Sequence, residues 1–284
     1  MRKVAIVTDS TAYIPKDLLE QYAVTVVPQV LIWGETTYED GVDIQPDAFY
    51  QKLATAKIMP TTSQVSVANM HKAFSSLLQQ GYDVLGIFIS SKLSGTIQSA
   101  IQGREMVERD KEHVEIVDSQ TTAMAMGFQV LAVARAAAQG ASLAECKALA
   151  EKSRPHTGVY FVVDTLEFLH RGGRIGGAQR LLGTALNLKP LLTVQEGKVE
   201  AVERIRTKAK AVERLIEIIA EQTAGKKPVR LATLHANAEA EAREILKRAT
   251  QQTNASESLF TTVSPVIGAH IGPGTVGIAY MAGL

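Results

Sequence analysis

The sequence predicts an α/β protein of two domains, the first with a parallel sheet in an α/β/α arrangement and the second with a mixed sheet. Short β-branched runs alternate with helical patterns from Lys3 to about Pro155, which is typical of βαβ units. After about Gly158 the pattern changes to a hairpin and longer helices. Because 284 residues is near twice the usual domain length, we place the domains at 1–157 and 158–284.

Strands of the first domain are predicted where short apolar runs end in small polar residues, at 4–7, 83–89 and 114–117. The apolar run 24–32 contains Pro28, which has no amide proton and therefore favours a sheet edge or a bend. Ser142 and Glu145 have the spacing of a capping box, which predicts that a helix begins there.

The second domain is predicted to begin with a strand at 159–163. Asp164 is then expected to cap a short helix that ends at Gly172, and another helix is expected from Ala178. Residues 191–194 and 199–205 flank Glu196-Gly197, a dipeptide that indicates a hairpin turn.

The remaining elements complete a mixed sheet with helices on one side. They are a long helix from Thr207 to about Thr223, a strand at 229–234, a helix after Asn237 and strands at 259–263 and from Thr275. Residues 258–284 carry no formal charge, yet Pro265, Pro273, His270 and several glycines interrupt them. We therefore predict strand, loop and strand there rather than a membrane segment.

Composition excludes several classes of function. The 30 Lys and Arg residues balance 29 Asp and Glu residues, so no general attraction to nucleic acid or anionic membranes is expected. Cys146 is the only cysteine, which excludes an internal disulfide and a CxxC site and favours a reducing compartment. The apolar run near the N-terminus is too short for a signal peptide, so we expect a cytoplasmic protein.

No cofactor or metal is expected. Residues 272–277 match GxGxxG, but a dinucleotide site needs a following helix and an acidic residue about twenty positions later. The chain ends seven residues after the match. No GxxxxGK[ST] or HExxH motif occurs, which leaves ATP hydrolysis and zinc chemistry without support.

The strongest local signal is the loop 90–96, with the sequence SSKLSGT, between a predicted strand and a helix. Hydroxyl groups beside free helix N–H groups favour an anion, whereas a simple helix cap would need only one hydroxyl. Thr62 and Ser63 lie in a similar loop that is by itself typical of a turn. His270 lies in an apolar, uncharged tail, where a histidine is more often a buried structural group than a catalyst, although the flanking Gly268 and Gly272 favour a functional role.

Seven segments, taken together and in order, resemble the DegV family of bacterial fatty-acid-binding proteins, the lipid-carrying partners of fatty acid kinase. They are residues 8–11, 62–64, 89–96, 164–176 (DTLEFLHRGGRIG), 188–192, 204–211 and 270–280 (HIGPGTVGIAY). The departures are Val65 and Val67, where proline-rich sequence is expected, and Ile271, where threonine is common.

The resemblance implies a two-domain fold with a long-chain fatty acid between the domains. Thr62 and Ser94 would hydrogen-bond the carboxylate beside His270, with Ser63, Gly95 and Thr96 in support, and no buried cation would be needed. The first domain would carry these carboxylate-binding loops and the second would cover the acyl chain.

The resemblance also implies a role for the chain that is not catalytic. Arg206, with Arg204, would lie on the face that meets a separate ATP-dependent fatty acid kinase, which makes acyl phosphate for phospholipid synthesis. Transient contact with a membrane surface would serve lipid exchange, and no nucleic acid partner is expected.

The residues also allow two other hypotheses about function. In the first, the chain is a phosphotransfer or hydrolytic enzyme with His270 as nucleophile or base and Ser94 or Thr96 in the anion site. Asp9 and Asp118 are then the candidate orienting acids. In the second, the chain is a protein-interaction module that uses a basic set, Arg204, Arg206, Lys208, Lys210 and Arg214, although most such sets are solvated faces.

Overall fold

The computed structural model describes residues 2–183 and 188–284, which form three sheets and the helices around them. The strands are β1 (Val4–Asp9), β2 (Thr25–Val27), β3 (Val30–Trp33), β4 (Thr36–Glu39), β5 (Thr61–Ser63), β6 (Asp83–Phe88), β7 (Val114–Asp118), β8 (Thr157–Val162), β9 (Lys189–Gln195), β10 (Lys198–Ile205), β11 (Val229–His235), β12 (Glu257–Thr262) and β13 (Val276–Ala282). The α-helices are α1 (Lys16–Gln21), α2 (Pro46–Ala54), α3 (Val67–Gln79), α4 (Thr96–Glu105), α5 (Ala123–Ala138), α6 (Leu143–Ser153), α7 (Glu167–Arg171), α8 (Lys208–Thr223), α9 (Glu239–Thr253) and α10 (Pro265–Ile271).

The first sheet is parallel, with the strand order β2-β1-β6-β7. Its strands β1, β6 and β7 confirm the predictions made from the β-branched runs. The apolar run around Pro28 divides as the proline suggested, because β2 forms the edge of this sheet while β3 belongs to another. That second sheet is small and antiparallel, with the order β4-β3-β5, and pairs Leu31 with Thr62.

The six-stranded sheet is mixed, with the order β10-β9-β8-β13-β11-β12 and only β11 and β12 parallel. The predicted hairpin at Glu196-Gly197 joins β9 and β10, and both residues have positive φ. Thr207 caps α8 by accepting a hydrogen bond from Lys210 N, as predicted. Helices α8 and α9 cover one face of the sheet.

Helix α5 packs between the parallel sheet and the mixed sheet. Eleven of its 16 residues are buried, including Phe128 and Gln129, so the helix is apolar on nearly every side. It contacts β1 on one side and β8 and β13 on the other. The prediction of helices on one side of the mixed sheet was therefore incomplete, since a helix of the first half covers the other face.

The predictions for the region after β8 need three corrections. Asp164 does not cap α7, because its carboxylate pairs with Lys189 and Lys208 instead. The helix expected from Ala178 is a 3-10 helix, Gly176–Leu181. The stretch predicted as strand, loop and strand contains α10, because Pro265 sits at the first helical position, where its missing N–H costs nothing.

Other local predictions are confirmed. Ser142 and Glu145 form the capping box at the start of α6, and α7 ends at Gly172. No helix in the described part of the chain is both long enough and apolar enough to cross a membrane.

Candidate ligand-binding site

An apolar cavity of about 790 Å³, including its mouth, lies where the two larger sheets and α10 meet. Both halves of the chain contribute side chains, and most of the lining is aliphatic or aromatic. The lining residues are Thr11, Tyr13, Gln29, Thr62, Ser63, Gln64, Ile89, Leu93, Ser94, Thr122, Ala123, Val159, Phe161, Leu169, Arg174, Val194, Val199, Leu234, Val263, Val266, Ile267, His270 and Ile271.

Two of the predicted site residues, Thr62 and His270, are in direct contact. Thr62 lies on β5 and His270 in the last turn of α10, and 2.7 Å separates Thr62 Oγ1 from His270 Nε2. Gly272, with a φ of 74°, follows α10 and turns the chain away toward β13. Gly272, two residues after His270, therefore helps to end the helix at the cavity wall.

The imidazole of His270 is neutral near pH 7. Burial, with a smaller repulsion from Arg174, lowers its pKa to about 4. Its Nδ1 atom is enclosed and has no hydrogen-bond partner among the described residues. Because an enclosed N–H without an acceptor is especially unfavourable, we assign the proton to Nε2, which then donates to Thr62 Oγ1. The Thr62 hydroxyl proton is left free for another acceptor.

Ser94 lines the same cavity and belongs to a short relay of hydrogen bonds. Gln29 Nε2 donates to Thr96 Oγ1 at 2.9 Å, and Thr96 Oγ1 lies 2.9 Å from Ser94 Oγ. Ser94 Oγ also accepts from Thr96 N at 3.3 Å, and we assign the bond between the two hydroxyls to donation from Thr96 to Ser94. The Ser94 proton is then available to a ligand.

The three supporting residues occupy different positions. Ser63 lines the cavity. Thr96 is buried behind Ser94 and acts through the relay. Gly95 is exposed, and a Cβ atom there would come within 3.1 Å of the Gln64 side chain.

Arg174 also lines the cavity, so a cation lies near the site although none was expected to be needed there. Its Nε donates to Leu93 O at 3.1 Å and its Nη1 to Gly172 O at 2.8 Å. The residue lies inside the glycine-rich segment 164–176, but nothing in the sequence shows that this segment reaches across the cavity. Gln29, Thr11 and Tyr13 were missed for the same reason.

The two candidate orienting acids bind backbone groups rather than His270. Asp9 is buried and accepts hydrogen bonds from Thr11 N, Thr11 Oγ1 and Ile89 N. Burial raises the pKa of Asp9, which the three hydrogen bonds partly offset. Asp118 accepts from Ser91 N and Gln120 N. Both carboxylates therefore hold loops in place at the ends of β1 and β7.

The basic set predicted as a docking face is only partly free. Arg214 pairs with Glu203, Glu217 and Glu221, and Lys208 pairs with Asp164 and Glu241. Arg204, Arg206 and Lys210 are exposed and make no ion pair within residues 2–183 and 188–284.

One group of possible metal ligands occurs in the described residues, Asp110, Glu112 and His113, and none of them lines the cavity. Arg2 pairs with Asp110, and His113 Nδ1 lies 2.8 Å from a carboxylate oxygen of Asp83. Asp110 and His113 therefore already have protein partners, which indicates a structural role for both side chains.

The chain matches known proteins over nearly its full length. A family profile described as "Uncharacterised protein, DegV family" matches residues 3–283. A DegV domain-containing protein of Clostridium perfringens is 38% identical over 279 residues, which is 98% of each chain.

Solved structures give the same result. A DegV family protein from Thermus thermophilus, described by its fatty acid binding, superposes with a TM-score of 0.91 at 36% identity over 99% of each chain. DegV of Bacillus subtilis, described as a fatty acid binding protein, superposes with a TM-score of 0.90 at 32% identity over 99% of this chain and 100% of its own. Sequence and fold agree along the full length, and this chain belongs to the DegV family.

Proposed function

We propose that this protein binds one long-chain fatty acid, with the acyl chain in the apolar cavity and the carboxylate at Thr62 and Ser94. The observation that carries the proposal is that the Thr62 and Ser94 hydroxyls both line the cavity and both contact a polar side chain behind them. With the protons assigned as above, Thr62 accepts a hydrogen bond from His270 Nε2, and Ser94 accepts one from Thr96, which itself accepts from Gln29. Each is thereby left as a donor at the wall of a cavity that is otherwise mostly apolar.

Two preset donors suit a carboxylate, which only accepts hydrogen bonds when ionised. They do not suit an alcohol or amine headgroup as well, since such a group brings donors of its own. Arg174 adds positive charge near the site without a carboxylate partner among the described residues. The fatty-acid-binding descriptions of the Thermus and Bacillus relatives support the same ligand class.

The acyl chain supplies most of the affinity in this proposal. Burial of about fourteen methylenes at roughly 0.8 kcal/mol each gives on the order of 11 kcal/mol before the costs of association. The hydroxyls add a smaller part of the affinity and determine which end of the ligand is anchored.

We further propose that the protein presents the bound fatty acid to a separate ATP-dependent fatty acid kinase, which forms the acyl phosphate used in phospholipid synthesis. Arg206 and Arg204 are the proposed docking residues, since both are exposed and unpaired among described residues. A cytoplasmic location and transient contact with a membrane surface for lipid exchange belong to this proposal.

A hydrolytic or phosphotransfer role for His270 finds less support. A histidine whose pKa lies near 4 is a weak base at neutral pH, and its Nε2 is already engaged with Thr62. Turnover of acyl esters or phosphoesters by the isolated chain would favour that role.

Mass spectrometry of the purified protein tests the carrier function, first in the native state and then after organic extraction. We expect one fatty acid for each chain. A protein that carries none, and takes up none when palmitate or oleate is added, would contradict the proposal.

A further inference from the structure

The tip of the β9–β10 hairpin rests on the loop that carries Ser94. Ser90 Oγ donates to Gly197 O at 2.9 Å, and Lys92 Nζ donates to Glu196 O at 2.8 Å. A segment of the mixed sheet thus touches a loop of the parallel sheet more than a hundred residues earlier in the chain.

Ser90 is at the centre of this contact. It is 1% exposed, its carbonyl accepts hydrogen bonds from Leu93 N and Ser94 N, and its hydroxyl accepts from Lys92 N while it donates to the hairpin. The backbone around Ser94 and the hairpin tip are therefore held by the same residue.

The outer part of the hairpin forms a two-stranded arm. Pairing between β9 and β8 extends over Leu191–Thr193, whereas pairing between β9 and β10 continues to Gln195 and Lys198. A register irregularity in β10 between Ala201 and Glu203 lies at the base of the arm. The 3-10 helix Gly176–Leu181 packs against β10, where Arg180 Nη2 donates to Ala201 O at 2.6 Å. The contact at Ser90 is what joins the tip of the arm to the Ser94 loop.

The arm is also a wall of the cavity. Val194 and Val199 face each other across the hairpin, and both line the apolar cavity. Displacement of the arm would open that wall beside the carboxylate site.

We propose that the β9–β10 arm is the gate through which the ligand passes, and that Ser90 is the positioning residue that ties the closed gate to the Ser94 loop. This inference rests on the proposed fatty-acid-binding function. It predicts that ligand exchange requires the Ser90–Gly197 contact to break.

A reversible cross-link tests the gate. A Cβ atom at Gly197 would lie 3.4 Å from Ser90 Cβ, close to the separation in disulfides. In Ser90→Cys/Gly197→Cys, oxidation joins the arm to the loop, and reduction of the same sample controls for the substitutions and for the positive φ of Gly197. Cys146 is buried, and Ser90→Cys alone controls for oxidation without a cross-link.

The measurement is the rate at which excess oleate displaces a bound fluorescent long-chain fatty acid. We expect the oxidised protein, loaded before cross-linking, to exchange about tenfold or more slowly than the reduced protein. Equal rates in the two states would overturn the gate while leaving fatty acid binding intact. A wild-type protein that takes up no fatty acid would overturn the binding function and the gate with it.

Discussion

Thr62 and His270 lie 208 positions apart in the sequence, yet their Oγ1 and Nε2 atoms are 2.7 Å apart. One belongs to the small antiparallel sheet and the other to the helix before the last strand. The contact joins the two halves of the chain at the proposed carboxylate site, so it can be tested from either partner.

Replacement of Thr62 and Ser94 by alanine is expected to weaken fatty acid retention without unfolding the protein. A hydrogen bond to a charged group contributes about 1.5–3 kcal/mol, so each substitution should lower affinity roughly tenfold or more. The measurement is bound lipid per chain after dialysis. Thr61→Ala and Ser91→Ala are matched controls, because both side chains are exposed. Unchanged lipid content in the double variant would remove these residues from the site.

Stability of the lipid-free protein should depend on the protonation of His270. Its pKa in the folded protein, about 4, lies below the unfolded value near 6.5, so the unfolded state binds more protons between them. The stabilisation is complete above about pH 6.5 and is lost as the pH falls toward 4.

Comparison with His270→Gln isolates this effect. At about 1.36 kcal/mol per pKa unit, the unfolding free energy of the wild type should fall by roughly 3 kcal/mol relative to the variant between pH 7 and 4. The comparison is needed because burial raises the pKa of Asp40 to about 6, which stabilises the folded state in the opposite direction as pH falls. Parallel denaturation curves for the two proteins at every pH would contradict the assignment.

Substitution of Gly172 by alanine is expected to disturb the site through His270. The backbone at Gly172 has a φ of −74°, which alanine adopts readily, but its Cβ would collide with His270 Nδ1. The ring must move, so the contact with Thr62 should be lost and retention should fall about tenfold.

A double-mutant cycle distinguishes this from general damage. If Gly172→Ala acts only through the ring, then adding it to His270→Ala should cause little further loss of lipid. Fully additive losses would mean that Gly172 matters for another reason.

Charge reversal at Arg206 is expected to separate docking from lipid binding. Arg206→Glu should lower acyl phosphate formation by a fatty acid kinase several-fold while bound lipid stays constant, because the side chain is exposed and does not line the cavity. Lys72→Glu, at an exposed position on α3 outside the basic set, is the control for a change of net charge. Loss of bound lipid in Arg206→Glu would show that the two roles are not separate.

The sequence was informative where the physical signal is local. β-branched runs located β1, β6 and β7, and side-chain capping located the starts of α6 and α8. The resemblance to the DegV family, rather than any single motif, named Thr62, Ser94 and His270 together, and the structure brings all three to one cavity.

The failures have a different origin. Arg174 sits at the cavity because the loop after α7 packs against Leu93, a contact 81 positions away that no local pattern encodes. Helix α10 was missed because glycine and proline reduce helix propensity, whereas its packing against Phe49 and Tyr50 overrides that tendency. Gly268 is the residue that allows those two rings to approach so closely.

Helix α5 restricts how this protein can move. Many binding proteins release ligand when two rigid lobes bend apart about a hinge. Here such bending would pull one of the two sheets off α5 and expose apolar side chains, among them Met124, Phe128 and Leu131, that are now fully buried. Helix α5 is common to both lobes, so we expect the cavity to open through peripheral segments rather than through a hinge between the lobes. A chain cut between residues 157 and 158 should give two insoluble halves rather than two stable domains.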